Sequence, residues 1–196
     1  MTENEWTEKV CKKLQSFLKS NDLYADTLQR IPYSQEIIGY SIDWEPEYLE
    51  PTRFETDLVI YEKNDETIIP RVIIEAKLTK ISTHDAITYS YKAEKHKFIT
   101  PYLRYGIMIG NRKHFALPGR LFRHGTNFDF MFAFSGTRLK EDEWKTFTDM
   151  LLREIDYSRN IEEMLHDSRK NDRKHYFMLQ KQLVLKELNL GSGSEE

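Results

Sequence analysis

The stretch "RFETDLVIYEKNDETIIPRVIIEAK", residues 53–77, decides how the rest of the chain is read. In its first arm Phe54, Thr56, Leu58 and Ile60 alternate with Glu55, Asp57, Val59 and Tyr61, the period of a half-buried strand. "KNDET" supplies turn residues, and "IIPRVIIEAK" forms a second arm around Val72-Ile73-Ile74. Two arms joined by a short turn predict a hairpin. Pro70 has no N–H to give a neighbouring strand, so it predicts an edge or a bulge near the start of the second arm. That arm ends in Glu75-Ala76-Lys77, a carboxylate and an ammonium on one face. Such charges either reach solvent at a sheet edge or build a site. The similar Glu143-Trp144-Lys145 lies in a predicted helix, where positions two apart diverge and share no site.

Upstream, Trp6, Val10, Leu14 and Phe17, with Cys11 and Leu18 beside them, predict a helix over about 4–19, ended by Asn21-Asp22. "EIIGYSIDW" (36–44) places Ile38, Tyr40, Ile42 and Trp44 on one strand face, and "EPEYLEP" follows as a loop. Downstream, residues 83–98 predict a helix with Thr83 as N-cap and Asp85 in its first turn. "YGIMIGN" and "FDFMFAFS" suit buried strands, separated by a basic loop region containing Gly119 and Gly125. From Glu141 the chain turns helical, with Trp144, Phe147, Leu151 and Ile155 as its stripe. Residues 159–188 predict further helix, with 169–174 ("RKNDRK") as a solvated face or a break. The expected organisation is an α/β core over 1–135, a helical C-terminal extension over 136–190 packed on the same domain, and a flexible tail over 191–196. "GSGSEE" in that tail resembles an expression-tag remnant.

Across 196 residues the chain carries 39% hydrophobic and 31% charged residues, the balance of a soluble domain with a substantial core. No apolar run approaches membrane-spanning length, and "MTENEWTEKV" lacks the pattern of a signal peptide. A cytoplasmic protein with no membrane partner is expected. A single cysteine, Cys11, rules out an internal disulfide and a cysteine-rich zinc site, and its place on the first helix predicts a packing role. The net charge of -3 disfavours a protein that coats nucleic acid by bulk charge. It disfavours far less an enzyme whose own site must collect carboxylates.

Asp57 in the first arm completes a constellation. If it shares the face of Glu75 and Lys77, two carboxylates and an amine converge. Repulsion between the carboxylates is relieved by a hard divalent cation, and Mg²⁺ takes one or two carboxylates plus waters and phosphate oxygens. Such an ion polarises a phosphodiester and lowers the pKa of a bound water. Lys77 would orient that water and offset charge on the phosphate.

"FETDLVIYEK…VIIEAK" resembles the core of the PD-(D/E)xK nuclease superfamily, the fold of many restriction endonucleases, junction resolvases and repair nucleases. The resemblance covers about residues 4–110. It implies a restriction endonuclease-like core, a central mixed sheet flanked by helices. Position by position, Asp57 matches the motif's Asp, Glu75 its second acid and Lys77 its lysine; Thr56 stands where a proline often precedes the Asp. Metal binding by Asp57 and Glu75, Mg²⁺ with Mn²⁺ as a substitute, and phosphodiester hydrolysis are what the resemblance implies. Superfamily members often add an acid from the first helix, for which Glu8 is a candidate set against plain solvent exposure, with Glu36 and Glu55 as others. They also often add a Lys or Gln from the helix after the motif. There Lys92 and Lys95, beside Tyr89 and Tyr91, are the candidates for contact with substrate phosphates.

The other stretches carry less. "NRKHF" and "GRLFRHG" are the most basic part of the chain, suited to a DNA backbone or simply solvated. The six histidines show no zinc spacing, and no phosphate loop or nucleophile elbow occurs. The leading expectation is a Mg²⁺-dependent endonuclease on DNA, possessing a role in restriction or phage defence. A double-strand break needs two sites, so a homodimer or a partner subunit is expected, with the C-terminal helices offering an interface. The competing expectation is a non-catalytic nucleic-acid-binding or assembly module, in which the three charges form a structural ion-pair cluster.

Overall fold

A computed structural model gives the fold and describes residues 1–113, 116–180 and 183–186. A helix α1 (Glu3–Leu18) is followed by a 3₁₀ turn and a long strand β1 (Leu23–Ser34). Two short strands, β2 (Ile37–Tyr40) and β3 (Pro46–Tyr48), precede β4 (Thr52–Lys63) and β5 (Ile68–Leu78). The chain continues through α2 (Thr83–Ile99), β6 (Arg104–Gly110), α3 (Gly119–His124), β7 (Phe130–Ala133) and α4 (Glu141–Asp167). Five strands form one mixed sheet in the order β1-β4-β5-β6-β7. The β1/β4 and β4/β5 pairs are antiparallel, whereas β5/β6 and β6/β7 are parallel. The β5-to-β6 connection runs through α2, as a parallel pair requires.

Each face of the sheet is covered. Val72, Ile74 and Ala76 of β5 join Leu58, Ile60 and Met108 under the apolar stripes of α1 and α4. Val59, Ile73 and Tyr105 pack on the other side with Ala93 of α2, and Ile107 and Ile109 with Ala86 of α2 and Leu121 of α3. Because both faces are covered, β5 is buried from Arg71 to Ala76, with Val72 to Ile74 as an unbroken apolar run. The first arm lies next to it yet alternates, since its Asp57-containing face opens at one end. Cys11 is buried, its thiol 3.4 Å from the Ala25 carbonyl, in the packing role expected.

The bulge expected near Pro70 is present. Ile60 pairs with Val72 but Tyr61 with Pro70, so Arg71 is passed over. With β5 in the sheet interior, the missing N–H is absorbed by the irregularity rather than by an edge. The Arg71 side chain is buried between Glu62 and Glu162, 2.6 Å from each. Arg159 reaches the same Glu62 at 2.6 Å, and together these pairs clamp α4 onto the ends of β4 and β5.

Several expectations need correction. β1 was not anticipated: "LYADTLQRIPYS" buries little beyond Leu23 and Ala25, and as an edge strand it tolerates polar residues and Pro32. Residues 36–44 are not one strand. They turn at 41–45 so that β2 pairs with β3, inside the stretch read as a loop, and Ile38, Tyr40, Ile42 and Trp44 are all exposed. The basic region after β6 contains α3. The expected helix over 159–188 ends at Asp167, and residues 168–180 and 183–186 have neither helix nor strand; positions 181–182 and 187–188 of that expectation, like the 191–196 tail, lie outside the described residues. The segment after Asp167 has no neighbouring face to bury its apolar side against, and an unpacked short helix is marginal in water. No helix among the described residues is long and apolar enough to cross a membrane.

The N-cap of α2 is Ser82 rather than Thr83. Its hydroxyl accepts from the Asp85 N–H, and Asp85 accepts from the Ser82 N–H, closing a capping box. Ser82→Ala is expected to cost about 1 kcal/mol in denaturant unfolding, whereas Thr83→Ala stays within about 0.5 kcal/mol.

Candidate active site

The pairing Leu58↔Ile74 and Val59↔Ile73 sets Asp57 opposite Glu75. Antiparallel partners directly opposite share a face, so both carboxylates lie on the α2 side of the sheet with Val59 and Ile73. Asp57 is half-buried, and its Oδ2 accepts from the Ala76 N–H at 2.7 Å. That bond turns the carboxylate across the strand boundary toward the end of β5.

Glu75 is fully buried. Its Oε1 accepts from the Tyr105 hydroxyl and lies 3.6 Å from Lys92 Nζ. Its Oε2 is buried with no hydrogen-bond partner among the described residues. Burial first, and the neighbouring Asp57 charge second, push the Glu75 carboxyl up to about 7, against the opposing pull of Lys92 and Tyr105. Lys92 also donates to the Glu55 carbonyl at 3.2 Å and lies over the rings of Phe54 and Tyr89.

Lys77 stands two residues beyond Glu75 on the same face. Its ammonium is 3.0 Å from Glu3 Oε1 and 5.2 Å from the centre of the Tyr89 ring. Burial works against that charge, but Tyr89 and Glu3 outweigh it and hold the amine above its ordinary pKa. Glu3 accepts from the Leu78 N–H with its other oxygen, which fixes the first turn of α1 over the end of β5. The Thr2/Glu5 capping box sets where that turn begins. The Tyr89 ring thus lies beside both Lys77 and Lys92. Lys95 sits farther along α2, its ammonium 5.1 Å from the centre of the Tyr91 ring.

A narrow cleft leads to Asp57, lined by Asn4, Thr7 and Glu8 of α1 and by Thr27 and Leu28 of β1. Glu8 is exposed as well as lining this cleft. Leu28 faces Asp57 across the β1/β4 pair and takes a left-handed φ of 57°, an uncommon conformation for a residue with a side chain.

Two residues at the site went unread in the sequence. Glu3 meets Lys77 across 74 positions of chain, and no local pattern announces such a contact. Tyr105 offers a faint signal, since a tyrosine within an apolar strand needs a partner for its hydroxyl when buried.

No group of three or more His, Cys, Asp or Glu side chains suited to a metal occurs among the described residues. Asp57 and Glu75 are the carboxylates set opposite each other on the paired strands, and Glu8 lines the cleft that leads to Asp57. A buried carboxylate oxygen without a donor, beside a second carboxylate, fits a hard cation that keeps much of its water and takes few protein ligands. It does not fit a zinc cage.

No family model matches the chain, and no curated protein does. Among solved structures, that of the pre-specific restriction endonuclease BsaWI in complex with DNA is similar to it. That match has a TM-score of 0.43 and 11% sequence identity, and covers 88% of this chain and 68% of the other.

Proposed function

We propose that this chain is a divalent-metal-dependent deoxyribonuclease that hydrolyses phosphodiester bonds, with Asp57, Glu75 and Lys77 as its catalytic residues. One observation carries the reading: Glu75 Oε2 is buried beside Asp57 without a hydrogen-bond donor, although Lys92 lies 3.6 Å from the other oxygen. A structural ion-pair cluster would satisfy that oxygen, because a buried carboxylate left unpaired is costly.

Asp57 and Glu75 would hold Mg²⁺, or Mn²⁺ in its place. When bound, the ion supplies a polarised phosphodiester and a more acidic water. Lys92 and Tyr105 fix the Glu75 carboxylate through its other oxygen and leave Oε2 without a donor. Lys77, released from Glu3, would orient the attacking water and offset charge developing on the phosphate. Lys92 and Lys95 on α2 would contact phosphates flanking the scissile one. Lys113, Arg120 and Arg123 lie on segments after β6, whose end pairs with the end of β5 beside Lys77, and extend a cationic rim for the DNA backbone. A dimer would present two such sites to a duplex, the arrangement that restriction or phage defence requires.

The Lys77–Glu3 ion pair favours a second reading, a non-catalytic nucleic-acid-binding or assembly module in which the amine is permanently tied. Incubation of plasmid and short duplexes separates the two. Cleavage is expected with Mg²⁺ or Mn²⁺, to stop with EDTA and to resume when the ion is restored. Calorimetric titration should show Mg²⁺ binding that Asp57→Asn weakens. Cleavage that resists EDTA overturns metal catalysis, and DNA binding without cleavage in either ion favours the module.

A further inference from the structure

The β2–β3 hairpin carries an apolar surface that nothing else in the fold explains. Ile42 is 96% exposed and Trp44 79%, with Ile38, Tyr40 and Tyr48 also in solvent. This is no slack loop. Ser41 Oγ accepts from the Asp43 and Glu45 N–H groups, and the Ser41 and Glu45 backbones bond at 2.9 Å. Trp44 is held in a left-handed φ of 66°, its ring 5.9 Å from that of Tyr40. A contiguous apolar patch built on a fixed turn marks an interaction surface. Around it stand Glu36, Asp43, Glu45, Glu47 and Glu50, all exposed, and residues 35–50 contain no Lys or Arg. Five carboxylates repel nucleic-acid phosphates, so the hairpin fits a protein partner that is both basic and apolar.

The chain contains a segment of that chemistry. Beyond α4, "RKNDRK" (169–174) holds four cations and one acid, and Arg169 and Arg173 make no ion pair among the described residues. Next come Tyr176, Phe177, Met178 and Leu179, then Leu183 to Leu185, all exposed. Phe177 is 99% exposed. We propose that the segment from Arg169 to Leu179 of one copy docks on the β2–β3 hairpin of a second copy.

Within one copy the hairpin and the basic segment both stay exposed, so neither covers the other. Arg159 and Glu162 tie the end of α4 to Glu62 and Arg71, at the far end of β4, whereas the hairpin enters β4 at Thr52. Ten strand steps separate the two, about 30 Å. A two-fold axis running the sheets of two copies past each other in opposite directions brings each basic segment to the partner's hairpin. The two contacts are then identical and the assembly closes as a dimer. The nuclease reading is not a premise, because every residue used lies outside the carboxylate site.

The test measures the oligomeric state of the full chain without metal or nucleic acid, by sedimentation and light scattering from micromolar to submillimolar concentration. A dimer is expected. Trp44→Ser and Phe177→Ser should each raise its dissociation constant by roughly tenfold or more. Glu45→Lys with Glu47→Lys, and separately Arg169→Glu with Arg173→Glu, should each weaken self-association, and mixing the two charge-reversed chains should restore a heterodimer. Circular dichroism checks that each variant is folded; exposed positions such as these tolerate change. A monomer at every concentration overturns the proposal. A dimer unmoved by the hairpin variants overturns it equally, as does a mixture that fails to reassociate.

Discussion

Lys77→Ala lowers single-turnover DNA cleavage by about 10³-fold, the loss typical of removing one group that stabilises charge in a transition state. Folding survives, because Lys77 lies at the end of β5 outside the apolar clusters and its one ion pair, with Glu3, is only partly buried. Such a pair contributes up to about 1 kcal/mol. Calorimetric Mg²⁺ binding should also survive, since both carboxylates remain. The combination of intact fold, intact ion binding and lost cleavage separates a catalytic amine from a structural one. Glu3→Gln gives the complementary result: it unties the amine and leaves the carboxylates in place. Cleavage that persists or rises in Glu3→Gln supports the assigned role. Wild-type rates in Lys77→Ala rule that role out.

The parts of the site that were legible share one cause. Asp57, Glu75 and Lys77 sit on adjoining strands joined by a short turn, so strand period and turn chemistry suffice to bring them to one face. The sheet interior announces itself similarly, because a strand covered on both faces carries apolar residues without interruption, as in Val72 to Ile74. Contacts made by closing the fold leave no such trace. Glu3 reaches Lys77, and Tyr105 reaches Glu75, through the docking of α1 and the addition of β6, neither of which is local. β1 was hidden for the opposite reason, since an edge strand buries too little to develop a clear pattern.

The hairpin at 37–48 shows a different limit. Apolar residues at strand spacing predict one strand face, yet Ile38, Tyr40, Ile42 and Trp44 are in solvent. Alternation reports a face that avoids water and leaves open what covers it. A core and a partner surface therefore produce the same pattern. The segment after Asp167 is ambiguous in the same way, its apolar residues suiting either a packed helix or a docking strand.

Glu75 should make stability fall as pH rises. Its carboxyl is pushed from an ordinary 4.5 up to about 7, first by burial and then by Asp57. Between those values the folded chain keeps a proton that the unfolded chain releases. The stabilisation is therefore complete below about pH 4.5 and is lost as pH climbs through 7, where folding must bury a charged carboxylate. The shift corresponds to about 3 kcal/mol over that window. In the absence of divalent ions, unfolding free energy should decline across it, and Glu75→Gln should flatten the decline by keeping the position neutral. Added Mg²⁺ should do the reverse of the proton. At mildly alkaline pH the ionised pair offers a site, and the thermal midpoint should rise with Mg²⁺ concentration; at mildly acidic pH the proton occupies the same carboxylate, and the rise should disappear. A Mg²⁺ effect of equal size at both pH values would detach ion binding from Glu75. A slope that persists in Glu75→Gln would place its origin in another group. If both expectations hold, the proton and the cation compete for a single buried oxygen, and the onset of cleavage near neutral pH follows from the same equilibrium.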